Sequence, residues 1–186
     1  MKFTKPYKSA NKNQISCPFG AIDLAHKVGH TGTDFYSSYG TFLVAPEDVL
    51  IENIVDGKTI TTTYDELRKG YGICMISQES SGVMHLFWHC LPVFPVKIGQ
   101  IVRRGEIVAQ MGNSGLVYSG GAFVPLEERT KTKKGTHLHW EVFKVNSKGT
   151  RDYFDCVPWI DWNLPVNYNI ITAIRNILLT MKNIFK

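Results

Sequence analysis

Only four cysteines occur in 186 residues, at positions 17, 74, 90 and 156, with no Cys-x-x-Cys pair and no tight cluster. That scatter excludes a small disulfide scaffold and a cysteine-based zinc knuckle, and the four are expected to be buried free thiols. Residues 1–13 are rich in Lys and Asn and lack the apolar core of about 7–15 residues that a secretory signal needs. A chain made in the cytoplasm without a signal peptide would reach an extracellular target by another route. No internal repeat or low-complexity tract is present. Acidic residues are the scarcer charge, 16 Asp and Glu against 21 Lys and Arg, which gives a net charge of +5. The excess favours anionic partners, namely nucleic acids, acidic membranes or anionic cell-wall polymers, and does not choose among them.

What is present suits one globular domain with a sizeable core, since 44% of the residues are hydrophobic. Short runs rich in Val, Ile, Phe and Trp alternate with Gly, Pro, Asn and Ser, which is the punctuation of strands and turns. Strands are expected at 41–45, 49–55, 72–77, 83–91, 107–111 and 137–144. The fold class is mainly β, an antiparallel sandwich or barrel-like core. Beyond it, Ile170, Ile171, Ile174, Ile177, Leu178, Met181, Ile184 and Phe185 fall on one arc at about 100° per residue, so 168–186 reads as an amphipathic helix. Its cations interrupt the apolar run, which excludes a spanning helix of about 20 apolar residues. It would pack on its own domain, self-associate or lie on an anionic membrane. The expected organisation is an N-terminal segment packed on the core (1–28), the main domain (29–155), a Trp- and Pro-containing connector (156–167) and the terminal helix.

Six histidines carry the chemical signal. In His137-Leu138-His139, alternate residues on a strand face the same way, about 6–7 Å apart, so two imidazoles stand side by side. Solvent-facing strands also carry this pattern without any function. His30-Thr31-Gly32-Thr33-Asp34 offers an imidazole and a carboxylate four residues apart, with a Gly that lets the backbone bend, although such pairs are common in turns. His89 lies inside the apolar run Leu86-Phe87-Trp88-His89-Cys90-Leu91, where a polar ring needs a partner or a function.

Together, His30, Asp34, His89, His137 and His139 resemble the lysostaphin or LytM-like family of zinc metallopeptidases, whose pattern is His-x-Gly-x-Asp, aromatic-x-His-Leu and His-Leu-His. The likeness includes Tyr71-Gly72, Val102-Arg103-Arg104-Gly105-Glu106-Ile107-Val108-Ala109, Gly112-Asn113-Ser114-Gly115 and Trp140-Glu141-Val142, and it runs over roughly residues 29–143. It implies the family's duplicated hybrid motif and a Zn2+ ion held by His30, Asp34 and His139. It also implies catalytic roles for His89 and His137. The implied reaction is hydrolysis of peptide stems or cross-bridges of bacterial peptidoglycan by attack of a zinc-bound water, and no nucleic-acid partner is expected.

Residues 116–136 depart from the family pattern as an enlarged loop, and 57–69 form a second insertion. A tyrosine that some members place before the first ligand is absent. His26 stands in that stretch, where it reads as an exposed loop histidine or as a substitute for the tyrosine. His85, four residues before His89, should share its strand face and is read as structural. The principal alternative is a non-catalytic LytM-like module that binds the wall or regulates. A weaker one compares 102–111 with the turns of biotinyl and lipoyl carriers, where His-x-Gly-x-Asp has no use. The absent signal and small size together resemble a bacteriophage lysin or virion-associated lytic protein.

Overall fold

The computed structural model describes residues 2–23, 25–55 and 70–166, together with 174, 177 and 178. In chain order the strands are β1 (Phe3–Thr4), β2 (Ile15–Cys17), β3 (Thr33–Phe35), β4 (Phe42–Val44), β5 (Val49–Val55), β6 (Tyr71–Ser77), β7 (Val83–Cys90) and β8 (Ile101–Val102). There follow β9 (Ile107–Gln110), β10 (Tyr118–Ser119), β11 (Ala122–Phe123), helix α1 (Leu126–Thr132), β12 (Leu138–Val145), β13 (Arg151–Tyr153) and β14 (Ile160–Asp161).

The main sheet has the order β2-β3-β12-β7-β6-β5-β8, with β13 also paired to β12, and its pairings are antiparallel. Side-chain alternation divides it into two faces. Leu138, Trp140 and Val142 of β12 join Val83 and Phe87 of β7 and Ile73 and Met75 of β6 in the main core. Cys74, Leu86, Trp88 and Phe143 form a smaller cluster from the intervening positions. A β4-β9 ribbon contributes Leu43, Val108 and Ala109 to the main core, which therefore lies between two layers of strands. The mainly β, antiparallel class expected from the sequence is the class observed.

The N-terminal segment reaches this core through Phe3, Tyr7 and Ala10, all buried. Strand β1 pairs in parallel with β14, so the regions 1–28 and 156–167 meet. Two paired residues make a weak ladder on their own. The burial of Phe3 and Tyr7 holds them, at about 1.5–3 kcal/mol for a fully withdrawn Phe-sized side chain.

Two expectations need correction. Three cysteines, Cys74, Cys90 and Cys156, are buried free thiols, but Cys17 is only half-buried, because β2 is an edge strand of the main sheet. The stretch read as an enlarged loop at 116–136 is structured as the β10-β11 hairpin followed by α1. Glu127 and Glu128 in its first turn suit the helix dipole, and a Glu127–Lys131 pair at 2.8 Å links successive turns. Of the amphipathic helix expected at 168–186, Ile174, Ile177 and Leu178 are helical, with Ile174 and Leu178 exposed. The remainder of that helix, and the insertion expected at 57–69, lie outside the described residues.

Candidate metal centre

Three neighbouring strands set the site. On β12, His139 stands opposite Asp34 of β3 on one side and Trp88 of β7 on the other, while Cys17 of β2 pairs with Asp34 from the edge. One rung of the sheet therefore places Cys17, Asp34 and His139 in line. His30 enters from the turn before β3. Its backbone N–H donates to Ala21 O at 2.9 Å and its carbonyl accepts from Gly20 N at 2.9 Å, which pins the loop.

Gly32 is required here by space. A Cβ at this position would lie 2.6 Å from the Trp140 carbonyl oxygen and 3.0 Å from His139 Cε1. The His-x-Gly-x-Asp segment therefore passes directly against β12, which is how residues four apart come to face one point.

At that point His30 Nε2, Asp34 Oδ1 and His139 Nδ1 lie 2.8 to 3.1 Å from one another. The outer atoms of the rings settle what the inner atoms carry. His30 Nδ1 is 3.1 Å from the Pro18 carbonyl oxygen, so that nitrogen bears the proton and donates it. His139 Nε2 is 3.2 Å from Glu141 Oε1 and donates likewise. Both inner nitrogens therefore present lone pairs, and they meet a carboxylate oxygen, which also presents lone pairs. Three acceptors so close are mutually repulsive unless a cation sits among them. Tetrahedral zinc with bonds of about 2.0–2.1 Å separates its ligand atoms by about 3.3 Å, close to the spacings seen. The residues fit a zinc ion.

The electrostatics favour positive charge at this point, whether a proton or a metal carries it. Burial works against charge on Asp34, yet His137, His139 and His30 overcome it and hold the carboxyl well below its ordinary range. Burial also disfavours a charged His139, but Asp34 and Glu141 prevail and raise its affinity for a proton. Glu141 is fully buried, and it accepts from Thr31 Oγ1 at 2.7 Å and from Trp88 Nε1 at 3.3 Å. Its carboxylate thus orients His139 and ties the loop bearing His30 to β12. The sequence motifs assign Glu141 no role. Its position two residues beyond His139, on the same strand face, is the signal that could have found it.

His89 and His137 stand beside the trio with ring centroids 4.4 Å apart, and the His89 ring is 6.1 Å from that of His139. Each donates its Nδ1 proton to a backbone carbonyl, Ser114 O at 2.7 Å and Gly135 O at 2.8 Å, which leaves both Nε2 atoms as acceptors. Burial, together with the neighbouring His137 and His139, holds His89 well below the ordinary imidazole range.

His89 reaches this face through an irregularity. The β6-β7 register steps from Tyr71↔Cys90 to Ile73↔Phe87, so β7 carries one residue more than β6 across that interval. His89 takes φ of 60°, a left-handed conformation rare outside glycine. This bulge turns the ring away from the core and returns Cys90 to it. The expectation that His85 shares the face of His89 is therefore corrected. His85 is fully buried in the core, 2.7 Å from Glu47 Oε1 and edge-on to Phe3 at 4.8 Å.

The other histidine outside the trio, His26, is not fully exposed. It stacks on His30 with centroids 4.1 Å apart. The β10-β11-α1 insertion is anchored at the opposite side, where Asn113 Nδ2 donates to Arg129 O at 3.0 Å and Lys134 O at 3.1 Å. Lys133 lies 4.8 Å over the Tyr39 ring.

Comparison with known proteins agrees with this geometry. Residues 28–151 match the family model described as Peptidase family M23. An uncharacterized metalloprotease of Haemophilus influenzae is 30% identical over 146 residues, 76% of this chain and 25% of that protein, so the chain spans about a quarter of its length. Among solved structures, LytU superposes with a TM-score of 0.57 at 21% identity, over 83% of this chain and 88% of that one. A zinc-containing peptidase from Vibrio cholerae gives 0.56 at 21% identity, over 82% and 39% of the two chains. The antimicrobial peptidase lysostaphin from Staphylococcus simulans gives 0.55 at 22%, over 83% and 53%. At these identities the structural likeness is one of fold. The chain belongs to Peptidase family M23.

Proposed function

We propose that the protein is an endopeptidase of bacterial peptidoglycan, cutting peptide stems or cross-bridges, with His30, Asp34 and His139 as zinc ligands and His89 and His137 as catalytic residues. The observation that carries this reading is the meeting of three acceptor atoms at 2.8 to 3.1 Å beside two imidazoles whose Nε2 atoms are left as acceptors. Bound zinc supplies a Lewis acid and lets water act as a nucleophile near neutral pH.

The chain's own groups do the rest. The Ser114 and Gly135 carbonyls hold His89 and His137 in the tautomer whose Nε2 accepts a proton, and burial keeps His89 uncharged near neutrality. One ring takes a proton from the attacking water. Its neighbour, once protonated, steadies the negative charge developing on the peptide carbonyl oxygen. The peptidoglycan assignment is supported by the family and by lysostaphin, an antimicrobial peptidase of the same fold. The net charge of +5 suits an anionic wall.

Mass spectrometry of fragments released from peptidoglycans of defined chemistry tests activity and bond together. Cleavage should stop on chelation and return with zinc. Zinc-loaded protein that leaves every peptidoglycan type intact would overturn the proposal and favour a non-catalytic wall-binding module.

A further inference from the structure

Behind the His30 ring lies a second group of ligand-bearing side chains that the proposed reaction does not use. Cys17 Sγ is 3.9 Å from His26 Nδ1 and 3.9 Å from Asp23 Oδ2, and His26 Nδ1 is 3.0 Å from Asp23 Oδ1. Tetrahedral zinc, with bonds of about 2.3 Å to sulfur and about 2.0–2.2 Å to nitrogen and oxygen, separates such pairs by about 3.4–3.6 Å. Each spacing lies within a few tenths of an ångström of that figure, with Asp23 reaching the thiol through Oδ2 and the imidazole through Oδ1, so that its carboxylate would embrace the ion with both oxygens. His30 is not a fourth donor to this group, since its Nε2 faces Asp34 and its Nδ1 proton goes to Pro18.

We propose that Cys17, Asp23 and His26 form a second site for a divalent ion of the zinc class, adjacent to the His30, Asp34 and His139 site and separate from it.

Three features favour an ion there. Cys17 is the one cysteine of the four that is not buried, and His26 is only partly covered, so an ion can enter from solvent. Asp23 is preset by its own loop. Its Oδ1 accepts the backbone N–H groups of Ala25 at 2.8 Å and His26 at 2.9 Å, which leaves Oδ2 facing the thiol. The Asp23 carboxylate lies against the thiol and attracts a cation.

On binding, the thiol proton leaves to solvent and sulfur enters as thiolate. The His26 proton passes from Nδ1 to Nε2, and Asp23 Oδ1 keeps its two backbone donors. The sulfur ligand selects soft and borderline ions such as Zn2+, Co2+ and Cd2+ over Mg2+ and Ca2+. An ion so held ties the loop before His30 to strand β2.

Cobalt(II) titration of the metal-free full chain tests this, because a thiolate-to-cobalt charge-transfer band arises only where sulfur ligates, and the His30 site has no sulfur. The wild-type chain should bind two equivalents, one of them developing that near-ultraviolet band. Cys17→Ser should bind one equivalent with no band. His26→Gln keeps the thiol and should require more cobalt to reach the same band. Magnesium should compete with neither. A single equivalent with no band in wild type, or a band that persists in Cys17→Ser, would overturn the site. Loss of peptidase activity alone bears on the first site and leaves this readout unchanged.

Discussion

His139 Nε2 lies 3.2 Å from Oε1 of Glu141, two residues further along the same strand, and this contact decides which nitrogen of His139 faces Asp34. A ring donating outward through Nε2 presents Nδ1 inward as a lone pair, the state a metal needs. Replacing Glu141 by Ala should weaken zinc binding about 10–100-fold, the usual effect of losing such a partner. Glu141→Gln keeps a carbonyl oxygen for the bond and should lose less. Competition against a chromophoric chelator reads both.

The two histidines of His137-Leu138-His139 should separate cleanly. His139→Ala removes a donor from the trio and should abolish stoichiometric zinc. His137→Ala should retain zinc, measured by elemental analysis, and lose turnover by about 100-fold or more, in the range of a missing acid-base group. Equal zinc loss in both variants would contradict the assignment.

Gly32→Ala should be more damaging than its size suggests. The added Cβ would fall 2.6 Å from the Trp140 carbonyl oxygen, so the segment carrying His30 and Asp34 must move off β12. We expect a stability loss of about 1–3 kcal/mol by denaturant unfolding, as for an overpacked core. Zinc affinity should fall with it, since the two ligands are displaced together.

Acid should weaken the core through His85. Burial, with Arg104 adding to it against the pull of Glu47, lowers the His85 affinity for a proton in the folded chain. The unfolded imidazole protonates near about 6.5. Stability from the neutral folded ring is therefore complete above that pH and is lost as pH falls from there through the lower folded value. Thermal unfolding between about pH 7 and pH 5 should show this slope, and His85→Gln should flatten it at a lower overall stability. An unchanged slope in the variant would exclude His85 as its source.

Much of the strand pattern was legible because it depends on neighbours in sequence. The mostly apolar run 49–55 pairs as β5, and His137 and His139 share a face because alternate residues on a strand must. Helix α1 was not anticipated. Its seven residues bury no side chain in the core, and Asn113, which lies outside the helix, donates to its Arg129 carbonyl.

The sequence by itself determined the chemistry available: two imidazoles and a carboxylate at His30, Asp34 and His139, and two further rings at His89 and His137. Their order matches one family, and residue type and order are properties of the chain alone. Tertiary structure decided where those groups point. The bulge at His89 depends on which β6 residue lies opposite, the lone pairs of His30 and His139 depend on Pro18 and Glu141, and Cys17 meets His26 only because β2 joins the sheet edge. Strand register and tautomer are set by hydrogen bonds between segments remote in sequence, so no local pattern could specify them.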